Sequence, residues 1–157
     1  MNSKGKYKEF LNGMIHFCDY RDRCKSEVWT KLHSFELSNE EKNKLFNELI
    51  ALDVLNEKRF VEAYIGGKTR IKRWGKNKIR ASLYAKKIDS TLINESLDSV
   101  IDMDEYREQI DQLFTRKWEQ LKKKEDLKTR QRIYRYLHSK GYESPIINEK
   151  FEKYFKS

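Results

Sequence analysis

Residues 79–101 read IRASLYAKKIDSTLINESLDSVI, and the apolar spacing inside them decides the fold. Ile79 and Leu83 stand one helical turn apart, Ile88 follows after a basic break, and Leu97, Val100 and Ile101 make an i, i+3, i+4 triplet. This is a short helix, a turn and a further helix, each with one apolar face. The same offsets land 51 residues earlier on Val28, Leu32, Leu37, Phe46, Leu49 and Ile50. They land again 54 residues later on Ile133, Leu137, Tyr142, Phe151, Tyr154 and Phe155. All 18 positions are apolar in a chain that is 38% hydrophobic, which identifies an internal repeat of about 50 residues.

Outward from these pairs, each unit opens with a longer helix. Tyr7, Phe10, Leu11, Met14, Ile15 and Cys18 mark the first; Phe60, Tyr64 and Ile71 the second; Met103, Tyr106, Ile110, Leu113, Phe114 and Leu121 the third. The expected fold is all-α: three tandem three-helix repeats, about nine helices, spanning 1–56, 57–102 and 103–157 and forming an elongated, curved body. Cys24, Gly75 and Thr129 stand four positions before the short-helix pairs as cap residues. Ser38 with Glu41 offers a capping box, and Ser144 before Pro145 an N-cap with Pro at N1. Gly66 and Gly67 predict a kink or break in the second long helix. One Pro, six Gly, four Val and five Thr are too few for a sandwich or barrel.

The 157 residues carry 38% charge and a mean hydropathy of −0.94, yet 13% aromatics set the chain apart from disordered sequences. Met1–Phe10 has no apolar core of a signal peptide, and the stretch around Leu49–Leu55 is broken by Asp53, so a soluble, cytoplasmic protein is expected. Cys18 and Cys24 do not make a disulfide framework, and with His16 and His33 they fit no familiar zinc spacing. Two free thiols, no metal and no cofactor are expected; His138 reads as a surface residue.

Charge is unevenly placed. From Ala63 to Ile88 there are nine bases and no acid; residues 89–115 hold eight acids and one base, and 116–140 hold ten bases and three acids. A solvated helix face explains most charge runs, but 26 residues without one of the chain's 25 acids point instead to a polyanion partner. Lys68, Arg70, Lys72, Arg73, Lys76, Lys78 and Arg80 are the candidate interface, with Ile71 and Ile79 facing the core beneath them. Arg70, Arg73, Lys76 and Arg80 are the subset expected to share one phosphate track. Lys122, Lys123, Lys124, Lys128, Arg130 and Arg132 form a secondary patch. Trp74 stands among bases, where a nucleobase would stack, whereas Trp29 and Trp118 read as packing residues. Asp98, Asp102, Asp104 and Glu105 read as a charged helix face rather than a nuclease metal site. No Gly-rich phosphate loop and no nucleophile–histidine pair emerges, so no enzymatic activity is expected.

The ordered motifs resemble the RecX family of bacterial regulatory proteins. Arg23 to Leu32, Arg-Cys-Lys-Ser-Glu-Val-Trp-Thr-Lys-Leu, is similar to the family's Arg-Ser-x-x-Glu-Leu-x-x-Lys-Leu, and Leu52 to Tyr64 to its Gly-Leu-(aliphatic)-Asp-Asp-x-Arg-Phe-Ala-x-x-Tyr stretch. Gly75, Ile79 and Leu83 match Gly-x-x-x-Ile-x-x-x-Leu, and Tyr136 to Tyr142 the late Leu-x-x-(Arg/Lys)-Gly-(aromatic) turn. Cys24 departs from the usual Ser, Leu52 from the usual Gly, and Gly66–Gly67 from a less broken helix. The resemblance implies a protein that lies in the groove of the RecA filament on single-stranded DNA; a monomer is expected. There it would inhibit ATPase, strand exchange and co-protease activities in recombination, repair and the SOS response. The alternative is a generic nucleic-acid-binding helical-repeat protein with no RecA role.

Overall fold

The structure, a computed structural model, describes residues 3–155. Among them are nine helices and no strand: α1 (Ser3–Tyr20), α2 (Lys25–Leu32), α3 (Asn39–Ala51), α4 (Glu57–Arg70), α5 (Lys76–Ala85), α6 (Ser90–Val100), α7 (Met103–Gln120), α8 (Leu127–Ser139) and α9 (Ser144–Tyr154). None of these helices is long and apolar enough to cross a membrane. The accessible surface, 9913 Å², exceeds the roughly 8,400 Å² of a compact monomer of this mass, as an extended body requires.

The repeat is visible in the packing. Val28 and Leu32, Ile79 and Leu83, and Ile133 and Leu137 are all fully buried, each pair fixing the middle helix of its unit. The core is nevertheless divided in two. Met14, Cys18, Val28, Leu32, Leu45, Leu49 and Leu55 form a cluster under α1–α3. A larger cluster runs without interruption from α4 to α9 and takes in Cys24 from the first unit. The first unit is joined to the second by polar ties. The Lys25 N–H donates to Glu57 (2.9 Å), the Ser26 hydroxyl donates to the Lys86 carbonyl (2.8 Å), and Arg59 Nε pairs with Asp22 (2.8 Å).

The second and third units meet more intimately. The Gly75 N–H donates to the Lys140 carbonyl at 2.7 Å and the Asn77 N–H to the Gly141 carbonyl at 2.9 Å. A Cβ on Gly75 would stand 2.2 Å from the Gly141 carbonyl carbon. Gly141 itself has φ +98°, and its Cβ would meet the Lys78 Cβ at 2.4 Å. Tyr106, fully buried, staples this joint: its hydroxyl donates to Glu143 and accepts from the Lys76 N–H (2.9 Å). Burial and the Glu143 hydrogen bond push its phenol far above the ordinary range. Between α7 and α9, buried Lys150 pairs with Asp111 at 3.2 Å, and the Tyr154 hydroxyl donates to the same carboxylate.

Several local expectations are corrected. Helix α4 continues without a break through Gly66 and Gly67, because buried Phe60, Val61, Ile65 and Thr69 hold it against its neighbours on either side of the glycines. Ile71 is 81% exposed; the helix ends before it, and Trp74 fills the core position, its N–H returning to the Lys68 carbonyl (3.0 Å). Ile50 is also exposed. Asp126, not Thr129, caps α8: its carboxylate accepts from the Thr129 N–H, so Thr129 lies one turn inside. Glu143 is the N-cap of α9, since Ser144 is already helical and Pro145 stands at N2. The Ser38–Glu41 capping box is present, and Cys24 and Gly75 are N-caps. Cys18 and Cys24 are free, buried thiols, and His138 is exposed.

This packing sets the outcome of four substitutions, all read by urea unfolding. Leu83→Ala loses roughly 2–5 kcal/mol, as for a fully buried core Leu. Gly75→Ala or Gly141→Ala also loses roughly 2–5 kcal/mol, from overpacking at the former and added left-handed strain at the latter. Gly67→Ala gains about 1 kcal/mol, because a Cβ there meets nothing within 4 Å.

Because the larger core runs from α4 to α9, residues 57–102 alone form no cooperative fold, whereas residues 57–157 do; circular dichroism of the two fragments distinguishes this from autonomous units.

Candidate polyanion interface

The seven bases between residues 68 and 80 do not share one face. Arg70 lines a narrow groove with Asp102 and Glu105 at the start of α7, beside acids rather than bases. Arg80 turns to α6, its guanidinium donating to Asn94 (3.1 Å) and Asn77 (2.9 Å). Lys76 begins α5 with its ammonium 5.5 Å from the Tyr106 ring. The expected subset of Arg70, Arg73, Lys76 and Arg80 is therefore dispersed around the turn.

What the structure brings together is a different set. Lys72 and Arg73 sit in the turn that docks on the end of α8, and there they meet Lys140 from the third unit. The Lys140 ammonium donates to the Lys72 carbonyl at 2.8 Å, and the Tyr142 hydroxyl donates to the Arg73 carbonyl at 2.9 Å. Lys78 approaches from α5. Burial lowers the Lys140 ammonium below the ordinary lysine value, and Lys78, Arg73 and Lys72 lower it further by repulsion. Among the described residues none of these four cations makes an ion pair. The buried Nη1 of Arg73 finds no acceptor. Half-buried Trp74 lies alongside, with Lys68 at 4.7 Å and Lys78 at 4.6 Å from its ring. Lys140 is not among the candidates that linear charge clustering singles out.

The secondary patch is partly recruited to packing. The Arg130 guanidinium lies 4.8 Å over the Phe155 ring, and its Nε donates to the Glu125 carbonyl. Lys122, Lys123, Lys124 and Lys128 are exposed, and Lys122, Lys124, Lys128 and Arg132 border a groove between the end of α7 and the start of α8. Arg73, Lys122 and Lys123 have φ of +55°, +61° and +52°, a left-handed conformation that costs a side chain about 1 kcal/mol or more. Trp29 stacks on Phe46 and Trp118 packs on Phe155 and Tyr154, as packing residues do. Asp102 caps α7, accepting from the Asp104 and Glu105 N–H groups; among the described residues no group of three or more His, Cys, Asp or Glu could hold a metal ion.

Comparisons with known proteins agree with this architecture. Two family models match, the second three-helix domain of RecX over residues 56–97 and the third over residues 104–151. The regulatory protein RecX of Chlorobium phaeobacteroides is 30% identical over 150 residues, 96% of each chain. That of Clostridium tetani is 31% identical over 130 residues, which make up 82% of this chain and 59% of that one. The crystal structure of RecX from Lactobacillus salivarius shares the fold, with a TM-score of 0.87 at 22% identity over 96% of this chain and 97% of the other. The chain belongs to the RecX family of regulatory proteins.

Proposed function

We propose that this protein regulates the recombinase RecA by binding its filament on single-stranded DNA. Binding there inhibits the filament's ATPase, strand-exchange and co-protease activities. The observation that carries the reading is the meeting of Lys72, Arg73, Lys78 and Lys140 across two repeat units with no acid paired to any of them. Four like charges held together by backbone contacts suit a polyanion, and the RecA filament on single-stranded DNA, the partner that the resemblance to the RecX family implies, would present one. The body is organised as units 1–56, 57–102 and 103–157, and its length suits contact with successive protomers. Regulation needs no chemistry from the chain: unequal affinity for active and inactive filaments shifts the population between them.

The reading is tested by RecA's DNA-dependent ATP hydrolysis, with RecA from the same organism, at several salt concentrations. Lys72→Glu with Lys78→Glu weakens inhibition about tenfold or more at low salt, and each phosphate no longer neutralised flattens the log-affinity against log-salt slope by about 0.7. Helix content stays unchanged, because neither side chain belongs to the buried core. A wild-type protein that binds DNA yet leaves ATP hydrolysis untouched is a generic nucleic-acid binder instead.

A further inference from the structure

The two basic patches are not separate. Along α8, Lys128, Arg132, Tyr136 and Lys140 recur every fourth residue, which sets them in one row with about 6 Å between successive members. The first of them borders the groove that also holds Lys122 and Lys124. A second groove, lined by Lys117, Arg135, Tyr136 and Ser139, shares Leu121 and Arg132 with the first, so the two meet at Arg132. The row ends at Lys140, whose ammonium reaches the Lys72 carbonyl, in the turn that carries Arg73 and beside Lys78. One acid, exposed Asp126, borders these grooves, and its carboxylate accepts from the Thr129 N–H as the cap of α8.

We propose that helix α8 joins both patches into a single track, about 18 Å from Lys128 to Lys140, that takes one single-stranded nucleic acid along its length. The proposal rests on the polyanion reading above and adds the route and direct contact with the strand. Two half-buried aromatics stand among the cations. Tyr136 lies mid-row with the Lys117 ammonium 5.0 Å from its ring, and Trp74 lies at the far end between Lys68 and Lys78. Phosphates follow the ammonium and guanidinium groups while unpaired bases lie on the rings; a duplex has no free base faces to offer, and an acidic peptide has none at all.

The test uses the full chain and a fluorescently labelled oligothymidylate of about 20 nucleotides, long enough to span the track. Anisotropy titrations across a salt series are run for the wild type and for three variants, each checked for helix content and thermal midpoint. Lys128→Gln with Arg132→Gln, exposed and between the patches, weakens binding about tenfold and flattens the salt slope by about 1.4, that is 0.7 for each of two phosphates. Tyr136→Leu weakens binding several-fold and leaves the salt slope unchanged, as loss of stacking does. Arg116→Gln, an equal charge loss per site on the far side of α7 beside Asp111 and Glu119, changes neither.

If the Lys128/Arg132 variant binds like the wild type while Lys72→Gln and Lys122→Gln each weaken binding, the patches act separately and the track is wrong. Equal affinity for a duplex of the same length overturns the single-strand assignment. If the wild type binds no oligonucleotide yet still inhibits RecA's ATPase, the track fails and the regulator reading stands. Loss of both points to failure of the proposed function itself.

Discussion

Where the turn after α4 meets the turn after α8, backbone lies directly on backbone. Gly75 and Gly141 approach so closely that neither has room for a side chain, and two hydrogen bonds, Gly75 N–H to Lys140 and Asn77 N–H to Gly141, lock the approach. Much else follows from this contact. It seats the start of α5 on the turn after α8, places the Lys76 N–H within reach of the Tyr106 hydroxyl, and lets Tyr142 reach the Arg73 carbonyl. It also makes the second and third units share one apolar core, whereas the first keeps a core of its own. A stack of nominally equal repeats thus behaves as a two-unit body with the first unit tied on through Glu57, Lys86 and Arg59.

The same contact has an electrostatic consequence. Backbone docking leaves the side chains that flank it no choice of neighbour, so Lys72, Arg73 and Lys78 of one unit face Lys140 of the next. Ordinary folds place an acid in such a position, and this chain has 25 to draw on. Its acids lie instead in caps, as Asp89, Asp102 and Asp126 do, or in pairs such as Asp111 with Lys150 and Lys153. The acidic run of residues 89–115 is therefore used mostly for helix starts and exposed faces, and it does not neutralise the basic joint.

Much of the fold was legible because its signal is periodic. Ile79 and Leu83 and their counterparts in the other units are buried at the expected positions, since a repeat three times over averages out local exceptions. The exceptions lie where tertiary contacts override local preference. Gly66 and Gly67 are poor helix formers, yet packing of α4 holds them in helix. Ile71 is apolar but falls at a helix end, where Trp74 covers the core in its place. The interface was less legible for a related reason. Linear clustering groups Arg70 and Arg80 with Lys72, although helix geometry turns them toward Glu105 and Asn94. Lys140 lies 68 residues from Lys72 in sequence, and the spacing Lys128, Arg132, Tyr136, Lys140 is the signal that points to it.

Bringing these cations together carries an electrostatic cost. Lys140 loses part of its affinity for a proton on folding, through burial and then through its three basic neighbours. The unfolded chain therefore holds more protons than the folded one in the window between the lowered value and 10.5, and this group's contribution to stability rises as pH climbs through that window. At neutral pH the repulsion is present in full. Under the proposed function a phosphate bound there would offset it without any change of pH, so ligand binding and the docking of the start of α5 on the turn after α8 would reinforce each other. By reciprocity, whatever holds the second and third units together strengthens the grip on the anion. Under the proposed function, a joint whose cations repel one another would favour an extended polyanion, able to meet several of them at once, over any single acid of the chain's own.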